Sequence, residues 1–331
     1  MDPVSKKLFD DNKDDILNKA TALFGITPEN LKRLGAFESI VYEFERDGRS
    51  AILKLTHSLH RSVDAVRGEL EWVDHLVANG VSCSPVVLSS RGQTVEKIDV
   101  EDSYFIVYGF EKAQGRLSGK DDWTEPMIRT WGRTLGRMHA ATMSYEPSDP
   151  TIRRHDWREE VSMYVNRHLP SEQTAVIERC RELQKRLSEL TTDGDTYGLV
   201  HSDLHHGNFF IADGRMTVFD FDDCHYDWFA HDLAMPLFYV MRSAEMEHDN
   251  AFAEFFLTNF LTGYREEHHL DSRAGETLPL FLKVREMELY IILHAEDAFE
   301  ENDWCRRFAE GRRQRIEDDL PVLDLDFSRL L

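Results

Sequence analysis

The sequence lacks the features of a secreted or membrane-anchored protein. Its four cysteines lie far apart, and no two of them form a Cys-x-x-Cys pair, so neither a disulfide framework nor a zinc knuckle is predicted. The first residues are charged and contain no apolar core of a signal peptide. No apolar run reaches the length that spans a bilayer. We therefore expect a cytoplasmic protein with reduced thiols and no membrane partner.

Positive charge is scarce in this sequence. Lysine and arginine total 39 against 61 aspartate and glutamate residues, which gives a formal net charge of −22. A surface this acidic disfavours nucleic acids as partners and favours a cationic ligand where the acids line a cleft. A common solubility feature is the alternative explanation of the acidity. The hydrophobic content of 41% is that of a globular protein, and 331 residues suffice for one large or two ordinary domains.

The chain is organised around a predicted β-hairpin. Two short apolar runs, 209–211 and 217–221, flank the turn at 212–215, and its Asp213-Gly214 pair supplies the positive φ angles that tight turns need. A polar loop, 201–208, leads into the first strand, and the second strand ends in a group of carboxylates. The hairpin is therefore expected to bring two carboxylates and one amide towards one another.

Those three side chains, Asp203, Asn208 and Asp220, suit phosphoryl transfer. The reaction needs charge neutralisation on the phosphate and a group that accepts the proton of the attacking hydroxyl, which an aspartate can be. Carboxylate and amide oxygens are the hard ligands that Mg²⁺ prefers. The order His-x-Asp-x-x-x-x-Asn followed by a strand aspartate is that of kinase catalytic loops.

Histidines in the same region allow a second interpretation. Imidazole and carboxylate side chains also bind zinc or iron, so a hydrolase metal site is the alternative reading. Its ligands would come from the four histidines of the loop and the strand end: His201, His205, His206 and His225.

Three motifs carry a family resemblance. The runs 201–208, 218–223 and 231–234, read in order, resemble the aminoglycoside phosphotransferase and choline kinase family. The branch with type II homoserine kinases and a bacterial stress-response kinase is especially similar. The resemblance implies an α+β, two-lobed protein-kinase-like fold. Its small N-lobe, 1–112, would hold an antiparallel sheet and one main helix, and its larger, mostly helical C-lobe, 113–331, the catalytic β-hairpin.

The resemblance also assigns roles to residues. Asp203 matches the catalytic base, Asn208 and Asp220 match the magnesium ligands, and Asp232 matches a structural aspartate. Lys54 matches the strand lysine that holds the α- and β-phosphates of ATP. Glu69 matches the helix glutamate that pairs with this lysine, and Glu71 is its rival.

Further nucleotide contacts are implied at two places in the N-lobe. The turn 35–39, which would cover the phosphates, includes Gly35 and Ser39 but has only one glycine, so it departs from the Gly-x-Gly-x-x-Gly of protein kinases. Phe110 and Lys112 lie where the family has its hinge, whose backbone groups bind adenine.

The acceptor site of this family lies between the catalytic loop and the last helices. Acids beside aromatic rings can hold an ammonium group through ion pairs and cation–π contacts. Ordinary core aromatics and a solvated helix end are the alternative for each candidate. The candidates are His205, Asp222, Tyr226, Trp228 and Glu296.

The expected function is transfer of the γ-phosphate of ATP, with Mg²⁺, to a hydroxyl of a small molecule. An amino alcohol, an amino acid, a sugar or an aminoglycoside would fit, GTP is the alternative donor, and the protein would be a monomer or a homodimer. A Ser/Thr protein kinase of the stress-response type and a nucleotide-binding pseudokinase are the alternatives. The interval 220–232 is too short for the activation segment of a protein kinase and holds no Ala-Pro-Glu motif.

Overall fold

The structure is a computed structural model, and it describes residues 3–36, 39–159, 169–243, 249–295 and 302–330. Two compact units are present. The first comprises residues 1–115, 145–154 and 217–222, and the second comprises 116–144, 155–216 and 223–331. The predicted division into lobes at residues 112 and 113 stays a prediction.

The first unit is built on an antiparallel sheet of six strands. Its path runs β1-β2-β3-β6-β4, and β5 pairs with the same side of β6 as β4. The strands are β1 (Lys32–Ala36), β2 (Ile40–Arg46), β3 (Arg49–His57), β4 (Val86–Val87), β5 (Val95–Val100) and β6 (Ser103–Glu111).

Three helices accompany this sheet. Helix α1 (Pro3–Asp11), which the sequence analysis did not predict, and helix α2 (Lys13–Phe24) bury Phe9 and Phe24 in one apolar core with the strands. Helix α3 (Val63–Ala78) begins at Ser62, whose hydroxyl accepts a hydrogen bond from the backbone N–H of Ala65. Its buried face places Glu69 in the interior of the unit.

The catalytic hairpin has a tighter turn than predicted, and its second strand begins and ends earlier. Strand β9 (Phe209–Ala212) and strand β10 (Arg215–Val218) flank Asp213 and Gly214, whose φ angles of 50° and 73° are those of a tight turn. Residues 219–221, expected to extend the second strand, lie outside it. Strand β7 (Arg116–Leu117) pairs with β9, and strand β8 (Tyr197–Val200) pairs with β11 (His225–Trp228).

Helices make up most of the second unit. They are α4 (Glu125–Thr142), α5 (Thr174–Ser188), α6 (Phe229–Met241), α7 (Asn250–Tyr264), α8 (Ala274–Ala295), α9 (Asp303–Ala309), α10 (Arg312–Glu317) and α11 (Phe327–Leu330). Helix α4 packs against α7, and helix α6 packs against α8. Within the described ranges, no helix combines the length and apolarity needed to cross a bilayer.

Candidate active site

Lys54 is the centre of a buried charge cluster in the first unit. Strand β3 is buried on both faces where Lys54 stands, and its side chain is only 8% exposed. Its amine lies 2.9 Å from Oδ1 of Asp220 and 2.6 Å from Oδ1 of Asp222. Burial alone would lower the pKa of Lys54, but the two carboxylates raise it well above its usual value. Lys54 is therefore a fixed positive charge.

The predicted ion pair between Lys54 and Glu69 is not formed. Both carboxylate oxygens of Glu69 are buried, and neither has a hydrogen-bond partner among the described residues. Burial, and after it the negative charge of Asp222, raise the pKa of Glu69 to about 8. The rival, Glu71, accepts hydrogen bonds from Ser148 and Tyr145 instead. Lys54 holds the two strand-end carboxylates, and Glu69 is left as a neutral acid near pH 7.

Asp220 and Asp222 differ in environment although one residue separates them. Asp220 has a φ of 68° and a side chain that is 47% exposed, whereas the side chain of Asp222 is 10% exposed. A non-glycine residue in this left-handed region is held there by its surroundings and is frequent at functional sites. Phe221, between them, packs edge-on against Trp72 of helix α3, with ring centroids 5.6 Å apart.

Two arginines hold this segment, and the sequence analysis missed both. The backbone carbonyl of Asp222 accepts a hydrogen bond from Arg61 and one of 2.8 Å from Arg154. Burial acts to raise the pKa of Asp222, but the positive charges of Lys54 and Arg61 keep it well below its usual value. Asp222, predicted as an acceptor residue, belongs to the first unit and binds Lys54.

The remaining nucleotide candidates have mixed outcomes. Gly35 lies in strand β1 rather than in the turn, and residues 37 and 38 fall outside the described ranges. Ser39 is buried, and its hydroxyl has no hydrogen-bond partner within the described part of the chain. Phe110 pairs through its backbone with both β3 and β4. The backbone N–H of Lys112 donates to Ser50, and its amine binds Glu43, so neither donor of Lys112 is free for adenine.

The catalytic loop of the second unit is anchored by Asp232. Its carboxylate accepts the backbone N–H groups of His201 at 2.8 Å and Ser202 at 2.7 Å. It also lies 3.2 Å from Nε2 of His139, a fully buried histidine of helix α4. Ser202 has a φ of 70°. These contacts fit the structural role that the family resemblance implies for Asp232, and they fix the start of the loop.

Asp203 and Asn208 lie in contact, as the predicted catalytic loop requires. The amide nitrogen of Asn208 donates to Oδ2 of Asp203 at 2.9 Å and to its backbone oxygen at 2.8 Å. His205 accepts the N–H of Gly207 at Nδ1, so its proton is on Nε2, 3.4 Å from Oδ2 of Asp203. Burial acts to raise the pKa of Asp203, but the hydrogen bond from His205 and the charge of Arg285 hold it below its usual value. Asp203 is therefore an ionised base.

The sequence analysis did not predict the arginine that lies beside Asp203. Arg285 of helix α8 donates to Oδ1 of Asp203 at 3.0 Å and to the hydroxyl of Tyr239 at 2.7 Å. Helix α8 contains four other charged residues, so charge alone did not distinguish Arg285 in the sequence. Its partner is 82 residues away in the sequence, so no local pattern identified it.

The other acceptor candidates receive less support. Trp228 is buried, its indole N–H donates to the backbone oxygen of Thr191 at 2.7 Å, and its ring packs against Trp157. Tyr226 lies in strand β11, paired with Leu199. Both have the contacts of structural residues. Glu296 lies outside the described residues.

A group of His225, Asp227 and His231 has the composition of a metal site. Nδ1 of His231 lies 2.7 Å and Nε2 of His225 lies 3.2 Å from the same oxygen of Asp227. Two ligands at about 2.0–2.1 Å from one tetrahedral zinc are roughly 3.3 Å apart. The contact of 2.7 Å is that of a hydrogen bond, so the group is better explained as a buried hydrogen-bonded cluster. Of the four histidines in the zinc alternative, only His225 belongs to it.

The oxygen atoms needed for a divalent ion are present in each unit. Because Asn208 uses its amide nitrogen on Asp203, its Oδ1 is left as the ligating atom, and no described residue donates to it. Asp220 offers a half-exposed carboxylate, of which only Oδ1 contacts Lys54. A carboxylate and an amide oxygen suit Mg²⁺ or Ca²⁺ rather than a softer metal.

Comparison with known proteins identifies relatives across the whole chain. Residues 30–270 match the model of the phosphotransferase enzyme family. The amicoumacin kinase of Bacillus subtilis (strain 168) is 36% identical over 98% of both chains. These findings confirm the predicted resemblance.

Solved structures confirm the predicted α+β, protein-kinase-like fold. An amicoumacin kinase, hAmiN, in complex with AMP-PNP, Ca²⁺ and Ami superimposes with a TM-score of 0.94 at 37% identity, covering 100% of both chains. A microcompartment-associated aminopropanol kinase superimposes with a TM-score of 0.74 over 96% of this chain and 99% of its own. At 21% identity, this second likeness shows the fold alone. The AMP-PNP and Ca²⁺ in the first structure support ATP and a divalent ion as the cofactors.

Proposed function

Because the chain belongs to the phosphotransferase enzyme family and is an ATP-dependent small-molecule kinase, we propose that it phosphorylates a hydroxyl group of amicoumacin. The similarity to the two amicoumacin kinases, which extends over the whole chain, supports this acceptor. The arrangement of Asp203, held by Asn208 and Arg285, carries the proposed chemistry.

In the proposed reaction, Asp203 accepts the proton of the acceptor hydroxyl. The hydroxyl oxygen forms a bond to the γ-phosphorus as the bond between that phosphorus and the β–γ bridging oxygen breaks. ADP leaves with the electron pair of the broken bond, and Asp203 later returns its proton to water. The low pKa of Asp203 keeps it ionised for this step.

The divalent ion is proposed to bind Asn208 and Asp220. When bound, it neutralises charge on the β- and γ-phosphates. Lys54 supplies a permanent positive charge for the phosphates, and Asp222 holds Lys54 in place. In this assignment residues 1–112 bind the nucleotide, and residues 113–331 bind the acceptor.

Two finer properties belong to the same proposal. The acceptor is cationic, which the formal charge of −22 supports. The compartment is the cytoplasm, which the four cysteines support: all are buried and none forms a disulfide, as suits a reducing environment.

ADP release in a coupled assay tests the acceptor. The panel contains amicoumacin, aminopropanol, homoserine, choline and spectinomycin, each with Mg-ATP. Amicoumacin is expected to raise ADP release above the rate without acceptor, with phosphorylated amicoumacin as the product. Stimulation by another compound alone would contradict the proposed acceptor while leaving the enzyme class intact.

Thermal stabilisation by Mg-AMP-PNP tests the ion site. Asp220→Ala is expected to abolish the Mg²⁺-dependent part of the shift in unfolding temperature. The control is Asp99→Ala, since Asp99 pairs with Lys97 and its side chain is 75% exposed. An unchanged shift in Asp220→Ala would remove Asp220 from the ion site.

A further inference from the structure

Arg285 is a buried cation of helix α8, in a segment, 283–288, that contains three other charged residues. Its side chain is 11% exposed, and its neighbours Val284 and Met287 are buried. A guanidinium group in such a place must be balanced by acceptors, because an unpaired buried charge is strongly destabilising. The three acceptors that it contacts show what it does.

The two ends of the guanidinium group bind different partners. Nη2 donates to Oδ1 of Asp203 at 3.0 Å and to the hydroxyl of Tyr239 at 2.7 Å, and Nη1 lies 3.4 Å from Oε2 of Glu288. The guanidinium carbon also lies 5.3 Å from the centre of the Tyr239 ring. A planar group held at both ends has little freedom to rotate, so its contact with Asp203 is fixed in direction.

Glu288 also forms an ion pair with a buried histidine. Its Oε2 lies 3.5 Å from Nε2 of His231, whose Nδ1 binds Asp227 at 2.7 Å. Burial alone would lower the pKa of His231, but Glu288 and Asp227 raise it to about 10. The charges therefore alternate in sign from Asp227 through His231, Glu288 and Arg285 to Asp203. Strand β11 and helices α6 and α8 are connected in this way to the catalytic loop.

The donors around Asp203 leave room for one hydroxyl. A carboxylate has about four lone-pair positions, and Arg285 takes one on Oδ1 while Asn208 and His205 occupy Oδ2. The side chain is 19% exposed. The remaining position, on Oδ1, is beside the bond to Arg285, so the direction of that bond sets where an incoming hydroxyl can donate.

We propose that Arg285 is the positioning residue of the catalytic base: it orients the Asp203 carboxylate towards the acceptor hydroxyl, and Glu288 with His231 holds Arg285 in place. The role rests on the proposed function of Asp203 and acts through Asp203 rather than through contact with the acceptor. A misdirected base impairs the chemical step more than binding, because both substrates keep their own contacts.

Kinetics of Arg285→Ala and Arg285→Lys test this role. With Mg-ATP and amicoumacin, Arg285→Ala is expected to lower kcat by about 100-fold while the KM of each substrate stays nearly unchanged. Arg285→Lys keeps the positive charge but cannot contact Asp203 and Glu288 through two separate nitrogens. It is therefore expected to recover only a small part of kcat. The control is Lys283→Ala on the same helix, since Lys283 binds Asp319 instead and this variant should keep the wild-type kcat.

Rescue by free guanidinium ion separates positioning from general stability. The ion should restore part of kcat in Arg285→Ala, because it can occupy the vacated site between Asp203 and Glu288, and should restore none in Asp203→Asn. An unchanged kcat in Arg285→Ala, or a rise in KM alone, would overturn the proposal. If Arg285→Ala does not fold, Glu288→Gln tests the role instead, because it conserves the shape of the side chain. This variant is expected to lower kcat by a smaller factor than Arg285→Ala, and an unchanged kcat would contradict the role of Arg285.

A stability measurement tests the role of Arg285 independently of which acceptor the enzyme uses. In a double-mutant cycle of Arg285→Lys with Asp203→Asn, the unfolding temperatures are expected to be non-additive because the two side chains touch. Additivity would overturn the positioning role whatever the acceptor is. If the cycle is coupled but wild type does not phosphorylate amicoumacin, the acceptor assignment fails. The kcat comparison is then made on ATP hydrolysis, where water takes the place of the hydroxyl.

Discussion

At the scale of single residues, Lys54 contacts two aspartates instead of Glu69, the partner that was expected. Its amine contacts Asp220 and Asp222, while Glu69 has no hydrogen-bond partner among the residues described. A fully buried carboxyl without a partner costs least when it is protonated, which agrees with the pKa of about 8 for Glu69. We expect nucleotide binding to recruit Glu69 to Lys54, with the phosphates and the divalent ion engaging Asp220.

The substitution Glu69→Gln is predicted to have opposite effects on stability and on nucleotide binding. The folded-state pKa of about 8 lies above the unfolded value of 4.5, so the stability that the bound proton contributes is present below pH 4.5 and is lost as pH rises through 8. The glutamine side chain does not ionise between these pH values, so its contribution to stability does not change with pH. The variant should therefore be more stable than wild type at pH 9, by on the order of a few kcal/mol, and nearly equal to it at pH 4.5. Denaturant unfolding at the two pH values measures this difference.

The same variant is predicted to bind nucleotide less well, because glutamine cannot pair ionically with Lys54. The unfolding temperature with and without Mg-AMP-PNP provides the measurement. Glu71→Gln is the matched control, since Glu71 lies on the same helix but binds Ser148 and Tyr145. Equal stability of Glu69→Gln and wild type at pH 9 would contradict the buried, protonated state of Glu69.

At the scale of elements, helices α4 and α7 are packed unusually closely. A Cβ atom added to Gly132 would lie 1.9 Å from the backbone oxygen of Phe260, and one added to Gly263 would lie 2.0 Å from that of Arg129. These contacts are with backbone, so a rotamer change cannot relieve them. The two helices carry His139 and Tyr264, which hydrogen-bond each other beside Asp232, and the packing therefore supports the start of the catalytic loop.

Gly132→Ala is predicted to destabilise the protein by about 3 kcal/mol or more, because the helices must separate to admit the methyl group. The denaturation midpoint in urea measures the loss. Gly194→Ala is the control, since nothing lies within 4 Å of its Cβ position. A Gly132→Ala variant as stable as Gly194→Ala would show that α4 and α7 are further apart than described.

At the scale of the whole molecule, local signals in the sequence predicted the catalytic loop, and the family resemblance carried by the motifs implied the fold class. The Asp213-Gly214 turn and the order of Asp203, Asn208 and Asp220 each lie within a short segment, so spacing was sufficient to find them. Helix α1 was missed because its apolar positions are few. The hydrogen bonds from Arg61 and Arg154 to Asp222 were not predicted, because these residues are 161 and 68 positions away from it in the sequence. The bond from Arg285 to Asp203 was not predicted because 82 positions separate the two. Such contacts come from tertiary packing, which no periodic pattern encodes.

The central claim is that Asp203 serves as the base in phosphoryl transfer to a small molecule. Transfer of radiolabel from [γ-³²P]ATP, followed in the separated acceptor, protein and inorganic phosphate, tests it most directly. With amicoumacin, wild type is predicted to label the acceptor. Asp203→Asn should lose about 10²–10⁴-fold of this rate while keeping the stabilisation by Mg-AMP-PNP. Label on the protein itself would instead indicate a protein kinase, and full activity of Asp203→Asn would contradict the account.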